Sequence, residues 1–269
     1  MKKTDISTEF WNKISLIYHL MLITLGALAI ATAVVVRTYP TTHAVKLLIF
    51  YTLCLAVAAA LVALGGTCHN KPKMVYPVLF FAAFIFIWLI LGSKIPDSNG
   101  LRSVYVSRLK AHENVRFMRG GETDRGVDGI GLAKASFWQA MIIEGLRELN
   151  PHLFGRNLLD FWFADLSLDD LINRASGYTN IVDNPPSLVG YDSFNLDFGD
   201  MAVTTDASDI MIYTDKGQWV YADRSIGKVR VIQTMTGKSV PESFKGPVII
   251  VRWWLLDTKS SNDTKNGKN

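Results

Sequence analysis

Between Ile14 and Val36 the chain runs for 23 residues without a formal charge, and nothing else in its 269 residues narrows the possible folds as sharply. At a helical rise of about 1.5 Å per residue, such a run reaches across a hydrocarbon layer about 30 Å thick. Two further apolar runs follow, Leu47 to Leu64 and Val75 to Leu91, and from Ile14 to Leu91 the only formal charges are Arg37, Lys46, Lys71 and Lys73. A helix satisfies its own backbone hydrogen bonds in lipid, so the expectation is three N-terminal transmembrane helices. Short polar hairpins, Arg37 to His43 and Gly65 to Lys73, would join them, with Tyr18, Tyr39, Tyr51 and Tyr76 near the segment ends. A cleaved signal peptide fits poorly, because the first run is too long and two more follow it. His19 lies inside the first run near its end, where a neutral interfacial imidazole is the simplest account.

The remainder carries an ordinary mixture of charges. The chain therefore divides into an N-terminal tail (1–13), a three-helix membrane region (14–95), a soluble domain (96–257) and a polar, disordered tail (258–269). Lys2, Lys3, Lys13, Lys71 and Lys73 on one side outnumber Arg37 and Lys46 on the other, which leans the soluble domain to the extracytoplasmic face. Lys94, Arg102, Arg108 and Lys110 are the counterweight. The net charge of +4 comes without a basic run or an aromatic-basic stripe, so nucleic acid is not an expected partner. The two cysteines, Cys54 and Cys68, both precede the soluble domain, which excludes thiol chemistry and disulfides there. Cys68 beside His69 lacks a second ligand pair, so neither a metal nor another cofactor is expected.

Within 96–257 the pattern is α+β: helices first, then an antiparallel sheet. A short helix is expected around Leu101 to Leu109, followed by the glycine-rich loop Met118 to Gly126. A long amphipathic helix from about Leu132 to Leu149 ends at Asn150-Pro151, and shorter helices fit Leu158 to Ala164 and Leu168 to Ala175, the last opened by Ser167. Strands are expected at Met201–Thr205, Ile210–Tyr213, Gln218–Ala222, Lys228–Ile232 and Val248–Trp254, with a turn at Asp215 to Gly217. Trp138 and Trp219 read as core, while adjacent Trp253 and Trp254 on one strand would face opposite ways and leave one exposed for contact.

Two stretches, RGVDGIGLAKASFWQAMI from Arg125 and FGDMAVTTDASDIMIYTDKGQWVYADRSIGKVRVI from Phe198, resemble the NlpC-type cell-wall peptidases and amidases, a branch of the papain-like fold. The resemblance spans roughly residues 120–255. It implies a Cys opening the long helix, a His opening the second strand after a Gly-Asp doublet, and a polar residue on the next strand. The doublet is present as Gly199-Asp200, but the three functional positions are occupied by Gly129, Asp209 and Tyr221. Glycine has nothing to attack with, and an aspartate with an ordinary pKa near 4 is a weak base at pH 7. The expectation is a degenerate, catalytically inactive relative, with Asp128, Gly129, Asp209 and Tyr221 as candidate ligand-binding residues.

The resemblance further implies a bacterial protein of the inner membrane, whose partner besides the bilayer is a cell-wall peptide or a protein at the membrane face. Two alternatives stand beside it. One is an active peptidase or amidase with unconventional residues: Ser136, Ser208, or a carboxylate pair of Asp128 and Asp209. The other is a membrane immunity or exclusion factor whose soluble domain is regulatory.

Overall fold

The computed structural model describes residues 96–154, 156–174, 177–192, 194, 196–233 and 240–257, together with Lys46, Ile49, Tyr51 and Thr52. The chain forms two compact units, Met1–Trp88 and Leu89–Asn269, and the architecture below is that of the second.

That unit is α+β. Helices α1 (Ser98–Ala111), α2 (Gly129–Glu148), α3 (Pro151–Phe154), α4 (Arg156–Phe163) and α5 (Leu168–Asn173) precede most of the strands. A small hairpin, β1 (Glu122–Thr123) and β2 (Gly126–Val127), lies between α1 and α2. The main sheet comprises β3 (Thr179–Asp183), β4 (Met201–Thr204), β5 (Ile210–Asp215), β6 (Gln218–Asp223), β7 (Lys228–Gln233) and β8 (Val248–Trp253). Its order is β3-β8-β4-β5-β6-β7, with every neighbouring pair antiparallel.

The sheet is buried on both faces, and strand alternation sorts its side chains. Met201, Val203, Ile210, Ile212, Val220, Ala222 and Val251 face the helices and pack with Leu132, Phe137 and Met141 of α2. Ala202, Met211, Tyr213, Trp219, Tyr221 and Ile250 face the other way, covered by Leu188, Leu196, Val240 and Phe244.

The expectation of three membrane-spanning helices, and with it a multi-pass inner-membrane location, is corrected by this structure. Among the described residues no helix is long and apolar enough to cross a membrane. The longest, α2, has 20 residues but carries Lys134, Glu144, Arg147 and Glu148 and is built to pack on a sheet. The stretches 14–36 and 75–91 lie outside the described residues, as do the tails 1–13 and 258–269; of 47–64 only Ile49, Tyr51 and Thr52 are described, all helical.

Other differences are local. Helix α2 starts at Gly129, three residues before the expected Leu132, because the Asp128 carboxylate caps it by accepting the Gly131 N–H at 2.7 Å. Leu149 adopts a left-handed conformation and ends the helix, after which Pro151 opens the additional turn α3. Ser167 and Asp170 form the reciprocal cap of α5. Strand β8 stops at Trp253, so the two tryptophans do not face opposite ways. Trp253 is fully buried, stacked on Phe137 and donating its indole N–H to Tyr105, while Trp254 turns into the same aromatic cluster beside Tyr178.

The Gly199-Asp200 doublet is structural. Gly199 sits at φ +92°, and a Cβ there would lie 2.9 Å from the Tyr105 ring. Asp200, fully buried, takes a bidentate pair from Arg252, Nε to Oδ1 at 2.6 Å and Nη2 to Oδ2 at 2.8 Å. Asp197 bridges Arg252 and Arg102, and Arg102 also donates to the Leu256 carbonyl at 2.7 Å. This network ties α1 and the entrance of β4 to β8.

Candidate functional site

The site grows from the glycine-rich loop. Phe117 donates its N–H to the Gly227 carbonyl, Met118 to Val127 and Val127 to Arg116, which folds residues 116–128 against the β6–β7 turn. Asp128 then clamps the loop to α2: Oδ2 accepts the Gly120 N–H and Oδ1 the Gly131 N–H, both at 2.7 Å. Gly131 has to be glycine, since a Cβ would overlap the Gly121 carbonyl oxygen. Burial raises the Asp128 carboxyl above the usual aspartate range, against the pull of these two N–H groups.

Where α2 begins, it meets the starts of β5 and the end of β6, leaving a cleft of about 310 Å³. Its apolar surface comes from Phe117, Ile130, Leu168, Ile210 and Ala222. Arg119 and Arg224 stand on one rim, on the loop and the β6–β7 turn that Phe117 and Gly227 hold together. The turn Ala207-Ser208-Asp209 forms another wall, and Asp128-Gly129 the head of the helix.

Of the expected positions, Asp128, Gly129 and Asp209 line the cleft together, and Tyr221 does not. A Cβ on Gly129 would lie 2.5 Å from Ile210 Cγ2, so Ile210 is the residue that faces the helix start. The register pairing Met211 with Tyr221 continues to set Ile210 opposite Ala222, on the same face. Asp209 and Tyr221 belong to the other phase of the alternation. Tyr221 packs on Phe244 across the sheet, and the Asp209 carboxylate accepts hydrogen bonds from Tyr221 and Ser243 there. Burial raises the Asp209 carboxyl, and burial followed by the Asp209 charge pushes the Tyr221 phenol well above its usual range. Asp128 and Asp209 spend their oxygens on different partners, so they do not work as a pair.

The two serines are equally committed. Ser208 Oγ donates to Asp206 at 2.8 Å and lies 3.2 Å from Thr204 Oγ1, a closed turn without a base. Ser136 is fully buried, 3.4 Å from Nδ1 of His112, whose other ring nitrogen is 3.0 Å from Asp124. Those residue types suggest a triad, but the geometry opposes one: Nδ1 is 2.8 Å from the Arg108 carbonyl and must carry the hydrogen, so it has no lone pair for the serine proton. For a cation, Asp97, Glu144 and Glu148 are the described group that brings three carboxylate oxygens within 4.8 Å of one another, away from the cleft.

Sequence reasoning missed Phe117, Arg119, Ile210, Ala222 and Arg224. The signal for Ile210 was present, since a strand that opens at Ile210 with Ile212 inward also turns Ile210 inward.

Gly129→Cys forces its Cβ against a β-branched, stiff neighbour and is expected to cost about 1–3 kcal/mol in urea unfolding, recovered by adding Ile210→Ala. An unchanged midpoint in the single variant would show that Ile210 does not fill the position.

Because burial holds Asp209 above its ordinary 3.8, the folded chain keeps that proton longer than the unfolded chain. Its contribution is therefore present below pH 3.8 and lost as pH rises through the folded-state value. Asp209→Asn should flatten this fall in a series of urea midpoints from about pH 3 to 7, leaving the parts due to Asp128 and Asp200, which burial raises with the same sign. Identical slopes would contradict the burial of the charge.

No family model matches the chain, and none of the curated proteins matches it.

Proposed function

We propose that the cleft at the start of α2 binds a peptide, of the cell wall or of a protein partner, without cutting it, in the manner of a degenerate NlpC-type domain. The observation that carries this reading is the contact between Gly129 and Ile210: the place where a papain-like enzyme needs a nucleophile facing a base holds a hydrogen atom against an isoleucine methyl. The described lining residues include neither cysteine nor histidine. The order of elements also supports the relationship, with a long helix delivering its N-terminus to the mouths of β5 and β6 in an antiparallel sheet. With the nucleophile position closed, the remaining space is an amphipathic hollow at the small end of the range for ligand pockets.

Backbone-amide NMR of the full chain, titrated with cell-wall stem peptides, reads this out. The expected result is saturable shifts at Gly129, Ile210 and Ala222. Shifts confined to surfaces outside the cleft, or none, would defeat the proposal.

A further inference from the structure

The cleft has four charged residues on its walls, two of each sign, but they are not equivalent. Both oxygens of Asp128 already accept backbone N–H groups, and Asp209 turns its carboxylate through the sheet to Tyr221 and Ser243. Arg119 and Arg224 are exposed, and among the described residues neither has a hydrogen-bond or ion-pair partner. Two arginines without a partner among the described residues thus line the hollow beside an apolar floor.

At the start of α2 the Gly131 N–H and the Leu132 N–H are already taken by Asp128, so the arginines carry the positive character of the hollow. A guanidinium presents its donors in a planar fork that matches a carboxylate. A bare inorganic anion would leave the apolar floor of Ile130, Leu168 and Ile210 uncovered, whereas an organic acid covers it. The volume of about 310 Å³ suits the end of a chain better than a segment laid across it.

We propose that the cleft receives the free C-terminal carboxylate of a peptide, held between Arg119 and Arg224 with its last side chain on the floor formed by Ile130, Leu168 and Ile210. This rests on the reading of the cleft as a binding site and specifies which end of the peptide enters.

The test compares trialanine as the free acid, trialanine amide and inorganic phosphate, titrated into the full chain and followed by NMR at Gly129, Ile210 and Ala222. The acid is expected to bind at least tenfold more tightly than the amide. Arg119→Gln and Arg224→Gln, both at exposed positions that leave the fold intact, should each weaken the acid about tenfold and leave the amide unchanged. Equal affinity of acid and amide at the same resonances would overturn the carboxylate assignment and leave the binding cleft standing. Phosphate binding as tightly as the acid would overturn it in favour of a simple anion site. If neither trialanine form moves these resonances while amidated stem peptides do, the terminal-carboxylate inference fails alone; if the stem peptides fail too, both readings fall.

Discussion

Replacing Asp200 by alanine is expected to cost about 3–5 kcal/mol of stability, read as a large drop in the urea midpoint of the full chain. The carboxylate is fully buried and receives two short hydrogen bonds from Arg252, itself only 8% exposed. Its removal leaves a guanidinium in the interior with Asp197, a half-exposed and better-solvated partner. The Asp197 N–H, which donates to Asp200 Oδ2 at 2.9 Å, loses its acceptor as well. The sign of the explanation can be checked with a double variant. Asp200→Leu with Arg252→Met removes both charges and should be markedly less destabilised than Asp200→Ala, because no unpaired buried charge remains. A single variant within about 0.5 kcal/mol of the parent would show that the network is not buried as described.

Phe137→Ala is expected to be comparably severe, about 3–5 kcal/mol. Phe137 is fully buried at the centre of an aromatic cluster, its ring stacked on Trp253 at 5.2 Å and meeting Tyr105, Phe161 and Trp254 edge-on or nearly so at 5.3–5.8 Å. Those partners come from α1, α4, the end of β8 and the turn after it, so one side chain joins four parts of the fold. Alanine would leave a void that rigid rings on all sides cannot close. Phe137→Leu should recover part of the loss, since it keeps much of the volume but none of the ring geometry. Because this cluster also sets how α2 lies on the sheet, Phe137→Ala should weaken peptide binding at Gly129 even under conditions where the chain stays folded.

Much of this architecture is legible from local pattern. The strands from Met201 onward stand within two residues of where alternation and turn residues put them, and the cap at Ser167 is where its chemistry predicts. The start of α2 was not, because glycines at 129 and 131 have poor helix propensity and only the Asp128 clamp and the close approach to Gly121 explain them. Strand β3 was hidden for a similar reason: it is an edge strand whose partner, β8, lies far along the chain. Long-range partners also decide the role of Asp200, which motif reasoning treats as a family mark and the structure shows to be an ion-pair anchor for Arg252. Hydropathy read three membrane spans before residue 95; the described helices include none that could span.

Gly129 heads α2 and lines the cleft, a placement legible from its position just before the long amphipathic run. Asp209, just before β5, also lines the cleft, whereas Tyr221 lies on the opposite face of the sheet, where one residue of register decides the side. Ile210 and Ala222 are the residues that meet the helix, and both are apolar. The position expected to hold a base, Asp209, turns its carboxylate to Tyr221 and Ser243, and what meets Gly129 is the Ile210 methyl, which favours binding over catalysis.

The central claim is that this cleft holds a peptide and does not cut it. A mass-spectrometric time course of stem peptides incubated with the full chain, at concentrations that saturate the shifts at Gly129, Ile210 and Ala222, tests it most directly. The account predicts that the peptides are recovered intact; hydrolysis products that accumulate with time and diminish when Arg119 and Arg224 are both replaced by glutamine would contradict it.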